Sequence, residues 1–125
     1  MRLLLDSHAV YWWMTGNPRL SAPARELILN SANAVLVSAA SIYEIEYKAR
    51  RKRVDLPPQE LRAALRRNAV EELAITYDHA EYAAHLRWAH RDPWDRLLAA
   101  QAFLERCIFV SVDQVFDATS IDRRW

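Results

Sequence analysis

The sequence predicts an α/β domain: a central parallel sheet of four to five short strands, flanked by helices on both faces. Apolar runs of strand length, RLLL at 2–5, VLVS at 35–38, LAIT at 73–76 and IFVSV at 108–112, alternate with longer stretches of helical periodicity. Such alternation implies crossover helices between parallel strands. The chain has 125 residues, 52% of them hydrophobic, enough for one core and too few for two, so a single domain over 1–125 is expected.

Each element has a local reason. Arg2–Leu5 is a short buried strand, and the helix after it, from about His8 to Thr15, is stopped by Gly16 and Pro18. Ser21 is an N-cap for a helix through about Ser31, because its hydroxyl can accept a free first-turn N–H. Val35–Ser38 follows as a strand, then a helix from Ala40 to about Arg53, which Pro57 and Pro58 interrupt. A fourth helix reaches about Asn68, Leu73–Thr76 is a strand, and Asp78 to about His90 is a fifth helix. In HRDPWDRL, Asp92 caps and Pro93 takes the first helical position of a sixth helix running to Arg106, before a strand at Ile108–Val112. The last ten residues carry no clear signal.

Composition excludes several classes. No run approaches the roughly 18 apolar residues of a membrane span, and MRLLLDSH does not resemble a signal peptide. With Cys107 as the sole cysteine no internal disulfide can form; the expected setting is the cytoplasm, and the expected role of Cys107 is a small buried hydrophobe. The sole glycine, Gly16, rules out phosphate-cradling glycine loops, and four dispersed histidines show no zinc-ligand spacing. The net charge of +1 conceals segregation: −1 over 1–47, +6 over 48–67 and −4 over 68–125. Lys48, Arg50, Arg51, Lys52 and Arg53 form a basic block suited to steering a polyanion, although a charge run by itself is also an ordinary solvated face.

Four acids stand where strands end or helices begin: Asp6, Glu44, Asp95 and Asp113. Taken singly, each reads as a cap or turn residue. Taken together, Asp6 after RLLL and Asp113 after IFVSV would meet at the carboxyl edge of a parallel sheet, where open α/β sheets bind ligands. Of Glu44 and Glu46, only one can face that edge, and Glu44 is the choice. Carboxylates a few Å apart repel by several kcal/mol per pair even at an effective dielectric of about 20, so they call for protons, arginines or metal ions.

The stretches RLLLDSHAVYWW, SAASIYEIEYKAR, HRDPWDRLLAAQA and VSVDQVF, in this order and spacing, resemble the PIN-domain ribonucleases, and more narrowly the VapC-type toxins of bacterial toxin–antitoxin pairs. The resemblance covers essentially the whole chain. It implies a metal-dependent endoribonuclease whose acidic quartet is Asp6, Glu44, Asp95 and Asp113, leaving 5′-phosphate and 3′-hydroxyl ends. Mg²⁺ or Mn²⁺, a homodimer and a cognate antitoxin covering the groove are implied with it.

On that basis Asp6 and Asp95 are the expected main metal ligands, with Glu44 and Asp113 completing the shell, orienting the attacking water or taking its proton. Ser7 stands where relatives often carry Thr, which keeps the hydroxyl, and the basic turn RRKRVDLP lacks the glycine often found there. Ser7, His90 and Asp92 are candidate supporting or substrate-contacting residues, with Asp92 and His90 read first as helix-end residues. A Ser7–His8–Asp6 triad is not expected, because consecutive residues at a strand end point different ways. Trp12, Trp13 and Trp88 read as core or subunit-interface residues before base-stacking ones. Two other classes share the features: a processing or structure-specific nuclease without an antitoxin, and a non-catalytic RNA-binding module.

Overall fold

A computed structural model describes residues 1–51 and 58–125, with the side chains of Pro58 and Gln59 excepted. The third helix ends at Arg50 with Arg51 as its C-cap, short of the expected Arg53; the Pro57 break, the glycine-free turn and the substrate-binding assignments of Lys52 and Arg53 fall outside the described residues.

The chain runs β1 (Arg2–Leu5), α1 (Ser7–Met14), α2 (Ala22–Leu29), β2 (Ala34–Ser38), α3 (Ala39–Arg50), α4 (Pro58–Arg67), β3 (Glu71–Leu73), α5 (Tyr77–His85), α6 (Pro93–Leu104) and β4 (Ile108–Val110). A short 3-10 helix at Gln114–Ala118 and β5 (Arg123–Arg124) follow. The five strands form one parallel sheet in the order β3-β2-β1-β4-β5. The α/β expectation and the count of four to five strands hold.

Strand periodicity divides the core. Leu3, Leu5, Val35, Val37, Ile108 and Val110 face one side, packed with Ala9 and Val10 of α1, Ala24 and Ile28 of α2 and Leu61 and Leu65 of α4. Leu4, Leu36, Leu73 and Phe109 face the other, against Leu98, Ala99 and Ala102 of α6 and Phe116. Leu3, Leu4 and Leu5 have no exposed surface, and burying each side chain contributes about 1.5–3 kcal/mol before entropy is counted. β1 is therefore the centre of the sheet and of the core. From β1 the chain travels outward to β2 and β3, then returns past β1 to β4. The direction reverses between β1 and β4, and in such sheets the crevice at the carboxyl ends of those strands receives the ligand.

Several boundaries differ from expectation. The third strand is Glu71–Leu73, not Leu73–Thr76. Its register against Leu36–Ser38 sets its position, and Glu71 and Glu72 are exposed, as suits an edge strand. Thr76 instead caps α5 in a reciprocal pair with His79: Thr76 N–H donates to Nδ1 at 3.0 Å and His79 N–H to the Thr76 hydroxyl at 3.3 Å. The fifth helix ends at His85, not His90, because Leu86 turns extended at ψ 126 and the following carbonyls leave the helical ladder. Arg96 collects them: its guanidinium donates to the carbonyls of Ala83, Leu86, Trp88 and His90 at 2.7–3.1 Å. β4 and α6 each stop two residues early, with Arg106 between them at φ +55. The tail adds β5, and Trp125 packs on the core. Trp12 and Trp13 pack on that same cluster, and Trp88 on the opposite one.

Candidate active site

Asp6 follows the last residue of β1 and caps α1, its Oδ1 accepting the His8 N–H at 2.7 Å. Its own N–H donates to the Val110 carbonyl at 3.1 Å, fastening β1 to the end of β4, and its Oδ2 accepts the Ser111 hydroxyl. Asp6 is thereby held nearly buried, at 7% exposure, in the switch-point crevice. Glu44 lies on α3, whose N-cap is Ser38 at the end of β2. Ser7, the first residue of α1, donates its hydroxyl to Glu44 Oε1 at 3.1 Å. Glu44 and not Glu46 faces the acids; Glu46 lines a separate groove with Arg62 and Arg66.

Asp92 caps α6, its Oδ1 accepting the N–H groups of Trp94 at 2.9 Å and Asp95 at 3.4 Å. Pro93 follows in the first turn, and Asp95 projects from that turn with Oδ2 2.7 Å from His90 Nε2. His90 does not end a helix, as the sequence reading had it; it stands in the Arg96-held segment before α6. His85 ends α5, with Nδ1 2.9 Å from the Glu81 carbonyl.

Asp113 is arranged differently. Its N–H donates to the Ser111 hydroxyl oxygen at 3.0 Å, and its carboxylate caps the 3-10 helix by accepting Val115 N–H at 3.0 Å. That carboxylate is exposed, while Asp6, Glu44 and Asp95 are sheltered. Asp113 is therefore at the rim, joined to Asp6 through Ser111.

The three sheltered acids act on one another through their charges. Burial raises the Glu44 carboxyl above the usual carboxylate range, against the Ser7 hydrogen bond and the Lys48 charge, with Asp95 and Asp6 raising it further. Burial likewise raises Asp95, opposed by His90 and assisted by the negative charges of Asp92 and Asp6. Among the described residues no lysine or arginine forms an ion pair with Asp6, Glu44, Asp95 or Asp113. The unmet negative charge and the hard oxygen donors fit a small divalent cation. Of the described residues, His90, Asp92 and Asp95 each offer a donor atom within 4.8 Å of the others, next to the field of Asp6.

Sequence reading missed three supports. Ser111 stands two residues before Asp113, a spacing at which a hydroxyl commonly accepts a backbone N–H, and this local signal was readable. Arg96 and Arg123 were not readable. Arg123 grips Asp117 through two contacts of 2.7 and 3.0 Å and donates to the Ser111 carbonyl at 2.9 Å, steadying the segment that carries Asp113. Of the basic block, Lys48 lies near Glu44, Arg50 is exposed at the end of α3, and Arg51 donates to the Tyr47 hydroxyl at 2.8 Å.

A parallel α/β fold gathering carboxylates at the switch point of its sheet defines a class of acidic-centre domains. The sequence matches the PIN domain family over residues 3–121, and the chain belongs to that family. It is 36% identical over 103 residues to Ribonuclease VapC22 of Mycobacterium tuberculosis, a match spanning 80% of this chain and 78% of that protein. In fold it is similar to VapBC2 from Rickettsia felis bound to a promoter DNA fragment, with a TM-score of 0.73 at 16% identity over 99% of this chain and 98% of that one. It is also similar to Mycobacterium tuberculosis VapC20, a Sarcin-Ricin loop cleaving toxin, with a TM-score of 0.72 at 16% identity over 95% of each chain.

Proposed function

We propose that this chain is a divalent-metal-dependent endoribonuclease, the toxin of a type II toxin–antitoxin module, acting in the cytoplasm as one PIN domain over 1–125. The observation that carries this reading is the sheltered trio Asp6, Glu44 and Asp95, whose negative charge no lysine or arginine among the described residues neutralises by ion pairing. Similarity to Ribonuclease VapC22 supports RNA as the substrate. Solved toxin–antitoxin complexes of the same fold support an antitoxin partner. No helix among the described residues is long and apolar enough to cross a membrane.

Asp6 and Asp95 would hold Mg²⁺ or Mn²⁺, with Asp92 and His90 beside Asp95 completing or orienting the set. When bound, the cation lowers the pKa of water and shields the phosphodiester charge. Ser7 fixes one Glu44 oxygen and leaves the other to orient water, and the raised Glu44 carboxyl suits it to receive a proton. Asp113, at the rim, adds negative charge and steadies the Ser111 bridge. Lys48, Arg50 and Arg51, with Lys52 and Arg53, would draw the polyanion in. A homodimer belongs to this reading, and the partly exposed pair Phe103 and Leu104 at the end of α6 suits self-association.

The test incubates purified protein with total RNA, with Mg²⁺ or with EDTA, and maps the ends. Asp6→Asn and Asp95→Asn are expected to abolish cleavage with the circular dichroism spectrum unchanged. Cutting by either folded variant at the wild-type rate would refute the assignment. DNA flaps cut in preference to RNA would indicate a structure-specific nuclease, and RNA bound but never cut a binding module.

A further inference from the structure

A small cavity adjoins the acidic centre. It holds about 230 Å³ and is walled chiefly by Ser7, His8, Tyr11, Trp12, Arg19 and Lys48. Part of the wall is aromatic: His8 and Trp12 stack with centroids 5.3 Å apart at 27°, and Trp125 backs Trp12 at 5.7 Å. Trp12 also packs on the core, so its ring is anchored. The rest is cationic, and neither Arg19 nor Lys48 forms an ion pair with a described residue. The cavity and the acids share Ser7, which donates to Glu44, and Lys48 lies one helical turn beyond Glu44 and acts on its charge.

An occupant must offer a π face to the rings and negative charge to the cations. A nucleotide does both. The volume lies below the roughly 300–1,000 Å³ of pockets that enclose a drug-sized ligand, so one nucleoside unit fits and a peptide helix does not. We infer that this cavity is the subsite for the nucleotide next to the cleaved linkage of a single-stranded RNA. The base stacks on the Tyr11, Trp12 and His8 wall, and Arg19 and Lys48 hold a flanking phosphate. The inference rests on the nuclease reading above and adds strand selectivity to it. A base in a duplex is already stacked and paired, so only an unpaired nucleotide can enter.

The test is anisotropy of a short labelled single-stranded RNA, and of its duplex, in EDTA so that binding is read without cleavage. His8 and Arg19 are exposed, so their variants keep the fold, and melting curves check this. His8→Ala is expected to weaken single-strand binding by about fivefold. Arg19→Gln should weaken it similarly and lower the salt slope by about one unit. Trp12→Leu should weaken it more, and duplex binding should not change. Arg106→Gln, at the opposite edge of the sheet, serves as the charge-matched control and is expected to bind as wild type. Wild-type affinity in both His8→Ala and Arg19→Gln overturns the subsite and leaves the nuclease reading standing. Unchanged RNA affinity with lost antitoxin binding makes the cavity a protein-docking site and also overturns it. A wild-type chain that binds no single-stranded RNA in EDTA overturns the subsite, and the nuclease reading is then decided separately by the cleavage test with Mg²⁺.

Discussion

Ser111 donates its hydroxyl hydrogen to Asp6 Oδ2 across 105 positions of sequence. Ser111 Oγ in turn accepts the Asp113 N–H, so one fully buried hydroxyl joins the ends of β1 and β4 and sets the start of the 3-10 helix. Ser111→Ala leaves a nearly buried carboxylate oxygen short of a donor, which costs about 1–3 kcal/mol. The expected outcome is a lower urea midpoint together with slower RNA cleavage, since Asp6 loses its fixed orientation. An unchanged midpoint would mean that the bridge contributes nothing.

The raised Glu44 and Asp95 carboxyls predict a pH signature in metal-free protein. Burial makes the folded chain hold these protons more tightly than the unfolded chain does. The stability they supply is complete below the ordinary carboxylate range, about pH 4, and is lost as pH rises through the higher folded-state values. Glu44→Gln keeps an acceptor for Ser7 and removes the charge. In EDTA it should gain about 0.5 kcal/mol over wild type near neutral pH, a modest figure because the site is partly solvated, and the gain should vanish in acid. Denaturant curves across pH test this, and Mg²⁺ should narrow the gap, because the wild-type site carries one more negative charge for the cation to neutralise.

Arg96 holds four carbonyls of the segment from Ala83 to His90. Arg96→Met strips charged donors from a partly buried loop, and at about 1.5–3 kcal/mol for a hydrogen bond to a charged group the loss should exceed 2 kcal/mol. Lysine cannot reproduce the fork, so Arg96→Lys should recover only part of it. Hydrogen exchange of residues 86–90 should accelerate in both variants. Because His90 sits in this segment against Asp95, RNA cleavage should fall as well.

Cys107 is buried, and burial raises its thiol above the usual range, against the opposing influence of Arg2. The neutral thiol is a poor nucleophile. A thiol reagent at neutral pH should therefore label the native chain at least about tenfold more slowly than the urea-unfolded chain. Equal rates would show that this corner of the core opens freely.

Much of this was legible in sequence because the signals are short in range. The run RLLL marked the central strand, Asp92 with Pro93 marked the start of α6, and Ser21 marked α2, each through interactions within one turn of chain. Asp6 and Asp95 were legible as acids at element ends; Glu44, expected where a helix begins, lies instead in the second turn of α3, and it was legible through its place among the apolar residues of that helix. Asp113 was placed at the correct edge, but its carboxylate proved to be exposed and engaged as a cap. The path of residues 86–90 was not legible, since helical periodicity continues through it and the competing donor is the Arg96 side chain ten residues beyond Leu86. β5 escaped notice because its two arginines have no strand signature of their own and pair only because β4 offers a free edge.

The sequence alone determined the alternation of strands and helices, the helix caps and the chemical nature of the acidic residues, because propensity, periodicity and capping act between neighbours in the chain. The tertiary structure decided which carboxylates share a field, which hydroxyls orient them and which cations stay beside the crevice unpaired. Those outcomes depend on strand order and helix packing, and a distance between side chains separated by as many as 105 positions is set by the whole core.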